Sequence, residues 1–241
     1  MVNASASPGA ADGTARSERA PVQSLLFVLS VTAGCTDVIS FFGLNGLFTA
    51  HITGNLVLLA AHIVAGDRAE IARMLSVPIF IVVCSLVTVF AGSLESSGRP
   101  SIRPLLLLQF LLLAAFLMVC VRVGPRTDLN AAVAILAGML GVSAMAVQHT
   151  LVQFSIKGAP ATAVMTSNVT RFAIDVGQML RRHSPAEIAK ARQQVRRTLP
   201  PIIGFATGCG VGAVCEGVVG LWAAALPAGL ALIALAMEFT S

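Results

Sequence analysis

Apolar residues occur along this chain in long runs separated by short polar connections, a pattern typical of membrane-spanning helices rather than strands or soluble helices. After an N-terminal polar segment, eight runs come close to the roughly 20 residues that a helix needs to cross a bilayer. These runs are 24–44, 46–65, 75–94, 104–121, 130–156, 160–180, 199–218 and 220–239. The pattern predicts an all-α, polytopic transmembrane helix bundle.

The second and sixth runs are the least apolar of the eight. Their polar residues are His51, Thr53, Asn55 and His62 in the second run, and Thr166, Asn168, Arg171 and Asp175 in the sixth. Such a segment can be a tilted, broken or re-entrant helix that its neighbours bury. Because both runs are about 20 residues long, we favour eight membrane segments, with six as the alternative.

The composition supports a single membrane domain. Hydrophobic residues make up 56% of the chain and charged residues 11%, which excludes an ordinary soluble globule and a disordered chain. Residues 1–23 are rich in Ala, Ser, Gly and Pro and predict a disordered tail. Residues 24–240 are then one transmembrane domain, with no room for a separate soluble catalytic domain.

The distribution of charge predicts the orientation. The chain carries 16 Lys and Arg against 11 Asp and Glu, a net charge of +5, and the basic residues cluster at the edges of the apolar runs. The positive-inside rule then places both termini and the basic stretch 181–197 in the cytoplasm. The partner is the lipid bilayer, not nucleic acid, because the chain has no Tyr and one Trp. The oligomeric state stays open.

Short motifs recur in the two halves of the chain. Residues 50–55 (AHITGN) align with 163–168 (AVMTSN), and without a gap His62 then pairs with Asp175. This indicates an internal repeat of about 24–123 and 130–240. Halves of four spans each would share one orientation, whereas halves of three spans each would be inverted.

The motifs also carry a family resemblance. The sequence Gly34-Cys-Thr-Asp37, followed by Phe48 and Thr53-Gly-Asn55, resembles the bacterial YoaK family of uncharacterised multi-pass membrane proteins, domain of unknown function 1275. This chain departs from the pattern at Ser167, which replaces a second glycine. The resemblance implies a multi-pass protein of the bacterial inner (cytoplasmic) membrane. It implies no chemistry, because the family has no established activity.

Two charges inside the apolar runs need partners. A carboxylate such as Asp37 costs about 2.5–3.5 kcal/mol near the bilayer centre, so it is either a proton or cation site or one half of a structural pair. Arg171 and Asp175 are four residues apart and share a helix face. We predict that Asp37 and Arg171 approach each other in the interior, near Asn55 and Asn168. The alternative is that the sixth helix lies at the interface as an amphipathic segment.

Two sets of candidate residues follow. The predicted substrate or ion path contains Asp37, His51, Thr53, Asn55, His62, Thr166, Asn168, Arg171 and Asp175, and the predicted helix-packing positions are Gly54, Gly204, Gly208 and Gly212. The five cysteines are scattered through apolar runs and form no metal-binding pair. We expect no metal site and no cofactor, and the missing catalytic motifs disfavour an enzyme.

The leading functional hypothesis is a secondary transporter or permease for a small solute, with proton coupling. Intramembrane ionisable residues and helix breaks at related positions commonly mark such paths. The alternative is a non-transport membrane scaffold or assembly partner, in which the same polar residues only hold helices together.

Overall fold

The computed structural model describes residues 8–66, 71–122, 131–156, 158–181 and 184–240, with side chains from Val22 onwards. Within these ranges it is entirely helical and contains no strand, which confirms the predicted class. The helices are α1 (Pro8–Gly43), α2 (Ile52–Ala65), α3 (Ile71–Ser96), α4 (Ile102–Cys120), α5 (Ala132–Ser155), α6 (Met165–Leu180), α7 (Pro185–Val219) and α8 (Ala225–Thr240), with a 3₁₀ helix (Gly220–Ala224) between the last two.

Five helical segments in the described part of the chain are long and apolar enough to cross a membrane. They are Val22–Gly43, Ile71–Ser96, Ile102–Cys120, Ala132–Ser155 and Pro185–Phe239. The last contains both α7 and α8. Helix α1 begins at Pro8, inside the predicted tail, and residues 1–7 lie outside the described residues.

Helices α2 and α6 are short. They contain 14 and 16 residues, or about 21 and 24 Å at 1.5 Å per residue, less than the roughly 30 Å of hydrocarbon in a bilayer. The second apolar run is not one helix because Asn45 and Gly46 take left-handed backbone angles, with φ of 51° and 78°. Gly66, with φ of 75°, ends α2.

The helices pack in a chain of neighbours. Helix α1 lies against α7 and α8, helix α5 lies against α3 and α4, and α4 contacts α8 between the two groups. The short helix α2 packs mainly on α3, and α6 packs mainly on α7. The central helices α1 and α5 are therefore the most buried of the spanning segments.

Helices α1 and α5 run antiparallel. The start of the spanning part of α1, at Leu25 and Leu29, shares a hydrophobic cluster with Leu151 near the end of α5. Farther along α1, Ala33 shares a second cluster with Ala144, earlier in α5. A hydrogen bond of 2.9 Å from Gln148 Nε2 to the Leu29 carbonyl fixes this register.

Helices α4 and α8 are also antiparallel. The Arg103 guanidinium at the start of α4 lies 5.3 Å from the centre of the Phe239 ring at the end of α8. At the opposite end, Phe116 of α4 shares a cluster with Ala224 and Ala228.

Glycines bring α1 and α7 into close, parallel contact. A Cβ at Gly204 would lie 2.8 Å from the Phe27 carbonyl oxygen, and a Cβ at Gly212 would lie 3.0 Å from Cys35 Cα. Between them, Gly208 rests directly on the backbone of Val31. Small residues at every fourth position thus allow the two backbones to meet.

We expect Gly208→Ala to lower the stability of the protein by about 1–3 kcal/mol, because the added methyl group overpacks a contact made by backbone atoms. Thermal unfolding in detergent micelles measures the effect. Gly210→Ala is the matched control, since a Cβ there meets nothing within 4 Å. Equal midpoints for the two variants would contradict this account of the interface.

Candidate functional site

The carboxylate of Asp37 is buried against the segment that enters α2. Its side chain is 4% exposed, and Oδ1 accepts hydrogen bonds of 2.8 Å from the backbone N–H groups of Thr49 and Ala50. Oδ2 lies 2.7 Å from His51 Nδ1. Both carboxylate oxygens therefore have partners.

This contact answers a local need of the backbone. Thr49 and Ala50 precede α2, so their N–H groups have no acceptor within a helix, and His51 at the N-terminus of α2 makes no side-chain cap. Asp37 supplies the acceptor from the neighbouring helix, where a negative charge also suits the positive end of the α2 dipole. The carboxylate thus caps the chain just ahead of α2.

His51 connects this buried carboxylate to the surroundings. Its side chain is 39% exposed, and its ring lies between the rings of Phe48 and Phe205, with centroids 5.9 and 5.4 Å away. His51 lies in the connection between α1 and α2, outside the spanning segments. Its hydrogen bond to Asp37 raises the pKa of the ring above its usual value, and partial burial opposes that rise. The pair can therefore hold a proton.

Asn55 holds the same connection from the other side. Its Oδ1 accepts from the Phe48 N–H at 2.9 Å, and its Nδ2 donates to the Phe48 carbonyl at 2.7 Å. Nδ2 also lies 3.0 Å from Ser76 Oγ on α3. The fully buried amide thus ties the connection to both α2 and α3. Gly54 permits this fold-back, since a Cβ there would lie 2.9 Å from the Phe48 ring.

Arg73 adds a buried cation that the sequence analysis missed. It is 3% exposed, with its guanidinium 3.3 Å from the His62 ring nitrogens and in contact with the Asn45 carbonyl. Arg73 stands just before the third apolar run, where it resembles an ordinary flanking charge. The only feature of the sequence that could have indicated its burial was its position next to that run.

The second half contains a related arrangement without a carboxylate. Asn168 Nδ2 donates to the Ala161 carbonyl at 2.6 Å, with the same spacing of seven residues as Asn55 and Phe48. Gln148 Nε2 donates to Thr162 Oγ1 at 2.9 Å, and Gln109 Nε2 donates to Gln148 Oε1 at 2.7 Å. Both glutamines are fully buried. An amide inside an apolar run was the signal that could have selected them.

The predicted contact between Asp37 and Arg171 is wrong. Asp37 forms its ion pair with His51, and Arg171 is exposed on α6. The physical reason is local: the connection 44–51 satisfies the carboxylate, so no cation from the other half is needed. Thr53 and Thr166 are also exposed and lie away from the buried contacts.

Asp175 belongs to a different place, a cavity of about 440 Å³ between α6 and α7. Gln178, Glu187, Lys190 and Gln194 also line it, and the buried Asp175 Oδ2 has no hydrogen-bond partner within the described ranges of the chain. The predicted path residues therefore fall into separate groups. Among the residues that the structure describes, no three His, Cys, Asp or Glu side chains are placed to hold a metal ion.

Comparison with known proteins identifies the family. The model of a family described as "Protein of unknown function (DUF1275)" matches residues 25–237, so the chain belongs to this family of membrane proteins. It is similar to the UPF0700 transmembrane protein YoaK of Bacillus subtilis (strain 168), with 37% identity over 79 residues, or 32% of this chain. The match spans about a third, 35%, of that relative's length. No solved structure matches.

We expect Asn55→Leu to destabilise the protein by about 2–6 kcal/mol, because it leaves the N–H and the carbonyl of the half-buried Phe48 without their partner, each at a cost of about 1–3 kcal/mol. Thermal unfolding in detergent provides the measurement. Thr53→Val on the same helix changes an exposed side chain and should leave the midpoint nearly unchanged. If both variants melt together, the amide clamp does not hold the connection.

Proposed function

We propose that this member of the DUF1275 family is a proton-coupled secondary transporter or permease for a small solute, built from two inverted halves with three crossing helices each. The observation that carries the proposal is the pair of short helices α2 and α6, each entered through a connection that a buried asparagine holds. Short helices at corresponding positions of two halves are the arrangement in which transporters bind substrates and coupling ions.

Helix direction supports six crossings. Helices α3 and α4 are each long and apolar enough to cross, and α1 is antiparallel to α5. If α2 also crossed, four crossings would precede α5 and would leave it parallel to α1. The antiparallel contact of α4 with α8 gives the same result for α6. If α6 also crossed, α8 would be parallel to α4. We therefore propose six crossings, the alternative to the eight that the lengths of the apolar runs favoured.

The pattern of neighbours supports two related halves. In the proposed repeat, α1, α2, α3 and α4 correspond to α5, α6, α7 and α8. When each helix is exchanged for its counterpart, the contact of α1 with α7 becomes the contact of α5 with α3. The same exchange converts α1 with α8 into α5 with α4, and α2 with α3 into α6 with α7. Three crossings in each half give the halves opposite orientations, related by an axis in the membrane plane.

The side chains at corresponding positions differ in charge. Asn55 and Asn168 clamp the two connections alike. Asp37 faces Thr49 in the first half, whereas Gln148 faces Thr162 in the second. An amide cannot exchange a proton at ordinary pH. We therefore assign proton coupling to the first half alone, with the half-exposed His51 as the entry and Asp37 as its partner.

The basic residues set the orientation. With six crossings and the N-terminus inside, eleven of the 16 Lys and Arg lie in cytoplasmic segments and four lie outside, while Arg171 is on α6. The positive-inside rule favours this orientation. Helix α2 then lies towards the outer face, and both α6 and the C-terminus lie towards the cytoplasm.

A scaffold or assembly role is the second candidate. The observation that favours it is the complete pairing of the Asp37 carboxylate with the amides of the connection and with His51. In a scaffold this pairing would only shape the entrance to α2. Measurements of topology and of flux separate the two candidates.

Reporter fusions test the six-crossing arrangement. We expect an outside signal for a fusion after Gly66 and inside signals for fusions after Gly98 and Ser184. Eight crossings reverse the first two results, because α2 would return the chain to the cytoplasm ahead of α3. A fusion after Val22 serves as the internal reference.

Proton movement into proteoliposomes tests the transport role. A pH-sensitive dye inside the vesicles should report acidification when one member of a panel of amino acids, sugars and organic cations is added outside. Asp37→Asn and His51→Gln should abolish the signal, because neither amide carries the proton of the pair, while Arg99→Gln at an exposed loop should retain it. A folded Asp37→Asn protein with undiminished proton uptake contradicts proton coupling, and the absence of a response across the panel favours the scaffold.

A further inference from the structure

The hairpin formed by α6 and residues 185–198 of α7 exposes several arginines away from the cavity between the two helices. Its acidic side chains, Asp175 and Glu187, line the cavity between the two helices. Lys190 lines the same cavity. Arg181, Arg192 and Arg196 are exposed, and by the 3.6-residue period the last two lie on the side of α7 opposite Lys190 and Gln194. The outward surface of the hairpin is therefore basic.

Helix α6 also exposes apolar side chains beside these arginines. Val169, Ile174 and Leu180 are 49%, 55% and 80% exposed. A helix that combines exposed apolar residues with flanking basic ones is suited to the boundary between headgroups and acyl chains. Arginine side chains can extend from such a depth to the headgroups.

The fold holds this surface in place. A capping box joins Ser184 and Glu187 at the start of α7, and Ala191 is buried where α7 faces α6 across the cavity. Arg192 and Arg196, one turn apart, therefore extend from a fixed helix rather than from a loop. The apolar run of α7 begins only at 199, so both arginines precede its membrane-spanning part.

The corresponding hairpin of the first half shows that the packing does not require these charges. Helix α2 contains no Lys or Arg, and Arg73 near the start of α3 is buried rather than presented outwards. Among the residues that the structure describes, the two hairpins therefore differ in their exposed charge.

We propose that the outer face of the α6–α7 hairpin binds the phosphate headgroups of anionic phospholipids in the cytoplasmic leaflet, with α6 lying at the membrane surface. This inference rests on the proposed six-crossing arrangement and is independent of transport. Guanidinium groups pair with phosphate through two parallel hydrogen bonds, and a basic residue near an anionic leaflet strengthens binding about fivefold.

Titration of phosphatidylglycerol against the full chain in neutral detergent, followed by native mass spectrometry, tests the proposal. Arg192→Gln/Arg196→Gln should bind this lipid about 25-fold more weakly than the unmodified protein, at about fivefold per arginine. Arg122→Gln, an exposed arginine at the far end of α4, should bind it as the unmodified protein does. Phosphatidylcholine should bind weakly and equally to all variants.

Further measurements distinguish binding of the lipid headgroup from a loss of folding and from binding of free phosphate. Arg192→Lys/Arg196→Lys should retain most of the binding, because the charge persists. Circular dichroism checks that the glutamine variant stays folded, and if it does not, each single Arg→Gln variant is titrated with an expected fivefold loss. Equal phosphatidylglycerol binding by glutamine variants and unmodified protein overturns the proposal. So does inorganic phosphate that competes with the lipid at millimolar concentration, since the site would then bind the free anion.

Discussion

The structure depends on one requirement: backbone amides that leave a helix within a membrane protein must find an acceptor in the protein. Where α1 ends and α2 has not begun, Asp37 supplies that acceptor for Thr49 and Ala50. Because the carboxylate is fixed by these amides, its other oxygen is presented to His51. An unpaired polar group in hydrocarbon costs several kcal/mol, so the capping contact, the short α2 and the ionisable pair are consequences of the same constraint.

A second constraint acts through the asparagines. A side-chain amide can satisfy the backbone of a non-helical residue, because it offers one hydrogen-bond donor and one acceptor to that residue. Asn55 uses both towards Phe48, and Asn168 reaches Ala161 over the same spacing. Each asparagine supplies hydrogen bonds to the backbone of an irregular segment, and each of these segments lies just ahead of a short helix. The two asparagine contacts therefore support the proposed internal repeat with a shared structural task.

The sequence predicted what depends on regular periodicity and composition. The apolar runs located the long helices, and the four-residue spacing of Gly204, Gly208 and Gly212 anticipated where a backbone could approach closely. It could not predict that the second run begins with a non-helical segment, because the left-handed angles at Asn45 and Gly46 depend on what the following residues contact. Nor could it predict that Asp37 would find its partners within twenty residues of itself rather than in the other half. A charged residue in an apolar run indicates that it has a partner. It does not indicate whether that partner is a side chain or the backbone.

Similar amides hold the two connections, but the side chains facing them differ: Asp37 contacts Thr49 and His51, whereas Gln148 contacts Thr162. Gln148, which faces Thr162 as Asp37 faces Thr49, also donates to the Leu29 carbonyl, so it stabilises the helix contact without carrying charge. Such a contact can therefore be made without a carboxylate. A buried acid costs more than an amide unless its charge is used or is fully paired. The exposure of His51 beside Asp37 lets a proton reach this pair from outside the bundle, and this access, more than the burial of the acid itself, is the physical basis of the proposed proton coupling.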